Sequence, residues 1–543
     1  FLVQRIIQES VNPYWLDMQQ RLEVLRLYVD QIDSRIIDEL KIPLSIYEQW
    51  GNLELFKKND SVYLGSIYKV RIRNNVVLGP AKGGIRFSSG SDLVNESSGL
   101  FVKTMDSLNE LSATEKEFRQ FITKWIKEEA NALALGMTLK NSQVGLDLGG
   151  GKGNVFIGEL AKQDGKFVLR DRENWRDRRN LARISRAHSR DLARDNMVGI
   201  NLDIPAPDMN TTARILSWYA DEYIKYFMEE TNEIKNKYPN LFEKLKNILD
   251  KGEYSITETP LLEEANLYSK MGNPFPLLGV YTGKPVAPVD LGGSLGRKEA
   301  TGFGGVDVIR SMIDSLKGKT IAIQGFGNVG SYAALDLARE GAIIKYISDH
   351  TAVLYNKEGF TLEELILMVE WSNNRPRGEE LINYALAGKV KAELLGSYDI
   401  NNWKVGLADR AAQIIGAQVD ILILAALENQ LRKDNVNIVK ANILLELANG
   451  PTTWEAELKL LQRGIPVVHD TLANAGGVIV SSFETQQAVT GRWFSIEQVN
   501  QERRQILEKA VREVRETKDR FNTPSYRIAG DINAVLRIAN RKF

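Results

Sequence analysis

Four residues combine type and setting in a way that suits proton transfer and charge stabilisation: Lys82, Lys140, Lys152 and Asp208. The three lysines stand at glycine-rich or turn-flanked places. There a lysine can anchor a carboxylate, or burial and neighbouring cations can lower its pKa until it exchanges protons near neutrality. Asp208 closes the segment DIPAPD, where two prolines stiffen the chain and suit a group that must be placed accurately. Any one of these lysines taken alone reads as a solvated surface charge, and composition by itself assigns none of them a role. The choice is nevertheless narrow. The chain of 543 residues has no cysteine, which removes disulfides, thiolate nucleophiles and cysteine metal sites. Its three histidines, His188, His350 and His469, are far apart and show no metal-ligand spacing.

A second constellation is glycine-based. Gly325, Gly327 and Gly330, with Asn328 and Val329 among them, form GFGNVG between an apolar strand (TIAIQ) and a helix (SYAALDLAREG). In such a βα unit the first glycine permits the tight turn, and the second lets the backbone approach a pyrophosphate. The third lets helix and strand pack closely, and the helix N-terminus offers free N–H groups to the phosphates. The next strand, AIIKYIS, ends at Asp349, where a carboxylate would accept hydrogen bonds from ribose hydroxyls. Together these features predict a dinucleotide site. Asp349 would repel a 2′-phosphate and so favours NAD over NADP, although Lys345 and His350 nearby weaken the argument.

These groups need elements to hold them. The length asks for at least two domains, and 43% hydrophobic with 26% charged residues is an ordinary globular mixture. Seventy basic residues balance seventy acidic ones, so neither nucleic acid nor a membrane is expected as partner. The arginine-rich stretch 170–194 reads as a solvated helix face. No apolar run approaches a membrane span. Helical periodicity over 22–40 precedes strand-like runs (LELFKK, SVYLGSIYKVRIR). Thr114 and Glu117 make a capping box before Phe118, Phe121, Ile122, Trp125 and Ile126, which recur at helix spacing and read as a packed face. From 319 onward strands at 320–324, 342–348, 421–424, 442–446 and 466–470 alternate with helices. That order predicts an α/β doubly wound (Rossmann-like) parallel sheet. Residues 496–543 read as amphipathic helix.

The motifs GPAKGGIRF, TLKNSQ with GGGKG, DIPAPDMNT, TGKP, GGSLGRKEATG, QGFGNVG, ELANGPTT and NAGGVIVSSFE occur in one order from about residue 40 to the C-terminus. In this the sequence resembles the glutamate/leucine/phenylalanine/valine dehydrogenase family. The resemblance implies an NAD(P)-dependent amino-acid oxidoreductase with a substrate domain over 1–281 and a dinucleotide domain over 282–480. Residues 481–543 would return to the substrate domain as C-terminal helices. It implies that Lys152 polarises the 2-oxo group and the attacking water or ammonia, and that Asp208 transfers protons. Lys82 and Lys140 would hold the two substrate carboxylates, with Ser481 contacting the distal one. Thr301, Asn449 and Asn474 would lie near the cofactor, and a homo-hexamer is implied. A cytoplasmic location is favoured. Because residue 1 is phenylalanine, a mitochondrial address is left open.

Lys82 and Ser481 make a side-chain carboxylate the expected substrate feature. An aliphatic substrate would leave a buried ammonium without a partner. Glutamate, 2-oxoglutarate and ammonia are therefore expected. The alternatives are a same-family enzyme for another amino acid, and a non-catalytic assembly subunit. Two stretches, near 88–134 and 224–279, look inserted relative to the family pattern. They could form a subunit interface, a regulatory site or a cover over the cleft, or be extra solvated helices. Asn154 stands where the family has a small residue, which is expected to alter a local turn after Lys152.

Overall fold

The alternating runs at the N-terminal end form a long antiparallel ladder, preceded by helices α1 (Leu2–Glu9), α2 (Pro13–Leu25) and α3 (Ser34–Lys41). Strand β1 (Ser45–Phe56) pairs with β2 (Val62–Arg73) from Ser45↔Arg73 to Phe56↔Val62. In this computed structural model the described residues are 2–28, 34–57, 61–94, 100–199, 202–212, 215–216, 218–219, 222–223, 226, 293–374, 379–397, 406–490 and 492–542. The expected insertion near 224–279, apart from Tyr226, and the TGKP motif lie outside them.

The two glycine-rich stretches are central strands rather than loops. Strand β3 (Ala81–Ser88) is followed by helices α4 (Gly90–Val94), α5 (Leu100–Glu110) and α6 (Glu115–Gln143), and then by β4 (Gly149–Phe156). A hairpin β5 (Glu159–Gln163) and β6 (Lys166–Arg170), helix α7 (Arg178–Arg194) and β7 (Asp203–Pro207) complete this half. The main sheet has the order β1-β2-β4-β3-β7. Glycine is needed because neighbours press on these strands: a Cβ at Gly83 would lie 1.7 Å from the Gly151 carbonyl, and one at Gly150 would lie 2.0 Å from that of Ala134. Pro205 and Pro207 fit because β7 is an edge strand, paired with β3 alone. Strand β4 runs straight through Asn154, so the turn expected after Lys152 does not exist.

Helix α6 starts with the Thr114–Glu117 capping box. Its apolar face packs against α5, with Phe101 and Phe121 ring centroids 5.1 Å apart and Phe101 and Trp125 5.3 Å apart. The described helices of 88–134 therefore bury one face in a hydrophobic core and are not wholly solvated. Helix α7 is likewise half-buried: Ala182, Ile184 and Leu192 enter the core, and Arg186 and His188 are buried with them. Its arginines are thus not a uniformly solvated face.

The second half contains helix α8 (Ala300–Met312), strand β8 (Thr320–Gln324), helix α9 (Asn328–Arg339) and strands β9 (Ile343–Ser348) and β10 (Val353–Tyr355). Helices α10 (Leu362–Asn374) and α11 (Leu381–Leu386) follow, then β11 (Glu393–Leu395), α12 (Leu407–Ile415), β12 (Ile421–Leu424), β13 (Ile443–Glu446), α13 (Trp454–Gln462) and β14 (Val467–Val468). The sheet order is β11-β10-β9-β8-β12-β13-β14. Strands β9, β8, β12, β13 and β14 are parallel, whereas β10 and β11 add antiparallel at one edge. The order reverses beside β8, the switch point at which a doubly wound sheet opens a crevice.

Helices α14 (Asp470–Ala473), α15 (Gly476–Thr490), α16 (Ile496–Arg520) and α17 (Tyr526–Lys542) close the chain. Helix α16 stays with the second half through Arg503 Nη2 and Asp307, 3.0 Å apart. Helix α17 crosses to the first half: Ser142 Oγ donates to the Ala534 carbonyl at 2.7 Å, and Ile528, Ile532 and Val535 share a core with Leu22, Leu135 and Leu139. Among the described residues no helix is long and apolar enough to cross a membrane.

Candidate active site

Parallel strands β4, β3 and β7 carry Lys152, Lys82 and the approach to Asp208 side by side. Lys152 Nζ lies 2.6 Å from Asp208 Oδ2, and Arg86 Nε donates to the same oxygen at 3.1 Å. The Asp208 backbone N–H donates to Thr211 Oγ1 at 2.6 Å, and that hydroxyl donates to the Ile85 carbonyl at 2.8 Å, which fixes the turn after β7 onto β3. Gly84 permits the approach, since a Cβ there would lie 2.5 Å from Asp208 Cβ. Burial acts to raise the Asp208 pKa, but Lys152 and Arg86 outweigh it and hold the carboxyl well below the usual range. Burial lowers Lys152, and Asp208 partly offsets the shift. A buried ammonium touching a carboxylate can polarise a carbonyl, and the carboxylate can exchange protons beside it.

Lys140 comes from the last turn of α6. Its Nζ donates to Asn449 Oδ1 at 3.1 Å, and Asn474 Nδ2 donates to the same oxygen at 3.0 Å. The three residues thus meet where α6 faces the loop after β13 and the end of α14. Burial lowers Lys140 to about 8, with Asp470 opposing. Lys82 is 1% exposed and its ammonium has no hydrogen-bond partner among the described residues. Burial lowers it to about 7 against the opposing charge of Glu484. Ser481, on α15, donates from Oγ to Glu484 Oε2 at 2.7 Å, and Arg297 Nε is 3.8 Å from the same oxygen. Burial raises Glu484 to about 7 despite Arg297 and Lys82. Thr301 borders this group, as a Cβ on Gly477 would be 2.4 Å from Thr301 Oγ1 and 3.6 Å from an Arg297 nitrogen.

Arg86, Glu129, Arg297 and Glu484 were not singled out from the sequence. Arg86, Arg297 and Glu484 do lie inside motifs that were, GPAKGGIRF, GGSLGRKEATG and NAGGVIVSSFE. Glu484 follows Ser481 by one helical turn, a spacing that could have flagged it. Glu129 pairs with Arg86 and accepts from Asn154 Nδ2 at 3.3 Å, while Ser88 Oγ donates to Asn154 Oδ1 at 2.8 Å. The polar Asn154 therefore supports the Arg86–Glu129 pair.

The glycine turn fits a dinucleotide pyrophosphate. Gly325 has φ +95°, and a Cβ there would meet the Ala425 backbone at 2.7 Å. A Cβ on Gly330 would strike the Gly325 carbonyl at 1.9 Å, whereas one on Gly327 would meet no atom of the described residues within 4 Å. Two glycines are thus required by packing, and the third faces open space at the start of α9. Gly327 caps α9 without a side chain, and Asn328 and Val329 are its first residues. That leaves the helix N-terminal N–H groups without a side-chain cap, as an anion site requires. Asp349 does follow β9, but its Oδ1 accepts from Thr351 N, Thr351 Oγ1 and Ala352 N at 2.7, 2.7 and 3.1 Å. Its Oδ2 accepts from Leu381 N at 3.0 Å. This carboxylate ties its own loop to the start of α11 and retains little capacity for ribose hydroxyls.

The second half, residues 292–543, matches the family model described as Glutamate/Leucine/Phenylalanine/Valine dehydrogenase. Residues 118–225 match the model of the Glu/Leu/Phe/Val dehydrogenase dimerisation domain. The glutamate dehydrogenase of Thermotoga maritima is 31% identical over 477 residues, spanning 86% of this chain and 84% of that one. The chain belongs to the glutamate/leucine/phenylalanine/valine dehydrogenase family. Its family reaction class is NAD(P)-dependent amino-acid dehydrogenation. The NAD-specific glutamate dehydrogenase of Clostridioides difficile is 28% identical, covering 94% of this dehydrogenase and 92% of its own length. The NADP(+)-dependent enzyme of Pyrobaculum calidifontis is 30% identical, covering 87% and 84%. Relatives thus use either cofactor. The hetero-hexameric glutamate dehydrogenase of Thermus thermophilus, in its leucine-bound form, superposes at a TM-score of 0.66 with 21% identity, covering 98% and 97% of the two chains. That likeness shows the dehydrogenase fold over the whole length.

Proposed function

We propose that this dehydrogenase interconverts L-glutamate with 2-oxoglutarate and ammonia, and that NAD is its better cofactor, because the Asp349 carboxylate, even when held by its own loop, would repel a 2′-phosphate. The observation that carries the substrate choice is Lys82: a buried ammonium without a hydrogen-bond partner among the described residues, near Arg297 and Glu484, to which Ser481 donates. Two cations and one carboxylate leave this pocket one positive charge in excess, which complements a single side-chain carboxylate. A neutral aliphatic side chain would leave Lys82 desolvated and unpaired, a cost of several kcal/mol.

Lys140 takes the α-carboxylate, and its Asn449 contact keeps that end next to the groups expected to face the nicotinamide, Asn449, Asn474 and Thr301. The cofactor, when bound along Gly325–Gly330, supplies the hydride acceptor for the α-carbon. Asp208 accepts the proton that the substrate amine releases as the hydride departs. Lys152 stabilises the oxygen of the water that adds to the imine carbon. The added water loses one proton to solvent on forming the carbinolamine and its second as the carbonyl forms, while Asp208 returns its proton to the nitrogen, which leaves as ammonia. Residues 1–281 act as the substrate unit and 282–480 as the dinucleotide unit, with the return of 481–543 completed by α17. A homo-hexamer is the proposed assembly.

The test is the rate of 2-oxoglutarate amination with NADH and with NADPH, beside the 2-oxo acids of leucine, valine and phenylalanine. Preference for 2-oxoglutarate is expected. Preference for an apolar oxo acid would move the protein to another member activity, and no turnover with any of them would favour an assembly role.

A further inference from the structure

Arg86 joins the proton-transfer pair to the other half of the molecule. From β3 its guanidinium reaches Asp208 Oδ2 at 3.1 Å, pairs with Glu129 of α6, and lies 3.7 Å from Glu428 Oε1. Glu428 belongs to the loop that leaves β12 in the dinucleotide sheet. That loop is tied to the cofactor turn, because Gln324, the last residue of β8 before Gly325, donates from Nε2 to Gln430 Oε1 at 2.9 Å. Gln430 Nε2 in turn donates to the Glu428 carbonyl at 3.1 Å. A continuous set of contacts therefore runs from the glycine turn to Asp208.

We infer that Arg86 is a positioning residue for Asp208 and that Glu428 sets how firmly Arg86 holds it, so that the dinucleotide half controls the proton-transfer carboxylate. The inference rests on the proposed amino-acid oxidation. The groups facing Asp208 are Lys152 from β4, Arg86 from β3, Glu129 from α6, Lys140 further along α6, and Glu428 through Arg86. With both cations in full contact Asp208 is a weak base. Glu428 draws part of the Arg86 charge away from it, and Asp208 then takes a proton more readily. When the loop carrying Glu428 moves off, Arg86 falls back on Asp208 and Glu129, and the base is quenched. Glu129 alone cannot switch this, because it sits in the same half as Asp208 and its distance to Arg86 is fixed by the packing of α6 on the sheet.

The experiment compares Glu428→Gln and Arg86→Lys with the unsubstituted protein in glutamate oxidation. It reads kcat, KM, the acid limb of the kcat–pH profile, and NADH affinity by fluorescence titration. Glu428→Gln is expected to lower kcat about 10-fold and move the acid limb to lower pH, with NADH affinity within about 2-fold. Arg86→Lys, which keeps the charge but loses the fork, is expected to lower kcat on the order of 100-fold. Arg86 is buried and its variant could fail to fold; Glu428 is 24% exposed at its side chain, so its variant keeps the inference falsifiable. An unmoved acid limb with unchanged kcat in Glu428→Gln, or an effect confined to NADH affinity, would overturn it while leaving the proposed reaction intact. An unsubstituted protein that oxidises no amino acid would overturn both.

Discussion

The Ser481 hydroxyl donates to Glu484 Oε2 at 2.7 Å, one turn away on the same helix. Its only proton is therefore committed within the protein. A distal substrate carboxylate would meet Lys82 and Arg297 as cations, and Ser481 can serve it as donor only after releasing Glu484. Replacing Ser481 by alanine should accordingly lower kcat/KM for glutamate modestly, about 10-fold. Lys82→Leu should lower it on the order of 1000-fold and raise relative activity on neutral amino acids. Parallel steady-state kinetics on glutamate and norvaline check both. Equal losses from the two substitutions would contradict the assignment of the charge to Lys82.

The contact between Lys152 and Asp208 predicts separable chemistry and binding. Asp208→Asn keeps the shape but leaves no base, and Lys152→Ala removes the cation. Each should reduce kcat by about 100- to 10,000-fold while NADH affinity changes little. Stopped-flow hydride transfer together with fluorescence titration separates the two quantities. A large fall in NADH affinity with kcat preserved would assign these residues to cofactor binding instead.

Burial lowers Lys82 to about 7 and Lys140 to about 8, so the ligand-free site loses positive charge as pH rises through this range. A bound dicarboxylate favours the charged forms. Binding of 2-oxoglutarate above about pH 8 should therefore take up protons. Calorimetry in two buffers of different ionisation enthalpy measures the uptake, and Lys82→Leu should reduce it. The stability effect has the same origin. Each lysine binds its proton more weakly folded than unfolded, so its contribution to stability rises with pH between the lowered value and the ordinary value of 10.5.

Arg527 of α17 is 1% exposed and holds Glu446 at 2.6 Å, Asp470 at 2.9 Å and Glu457. Asp470 also accepts the Gly450 N–H at 2.9 Å, next to Asn449. Arg527→Ala would strand three buried carboxylates and should destabilise the protein by about 3–5 kcal/mol. Chemical denaturation checks the value, and a shift below about 1 kcal/mol would mean that the cluster relaxes into solvent.

Much of the fold was legible where pattern and burial coincide. The βα unit around Gly325 and the Thr114 cap appear as read, because each is set by residues adjacent in sequence. Lys82 and Lys152 were harder. Dense glycine reads as loop, yet here it marks strands squeezed between Ala134, Asn75 and each other, a requirement that exists only once the layers are stacked. The phenylalanines of α5 and α6 likewise look inserted along the chain but fill a core in space.

Residue types and local order alone determined the chemistry available here. Without cysteine and with three scattered histidines, lysine and aspartate stood out as candidates, and the glycine turn pointed to a dinucleotide. Tertiary structure alone decided who shares a proton. Arg86, Glu129 and Glu428 converge from a strand, a helix and a loop of the other sheet, and Asp349 accepts hydrogen bonds from its own loop and from the start of α11. The physical reason is range: backbone propensity acts over a few residues. Charge and burial act over a few ångströms, among groups that only folding brings together.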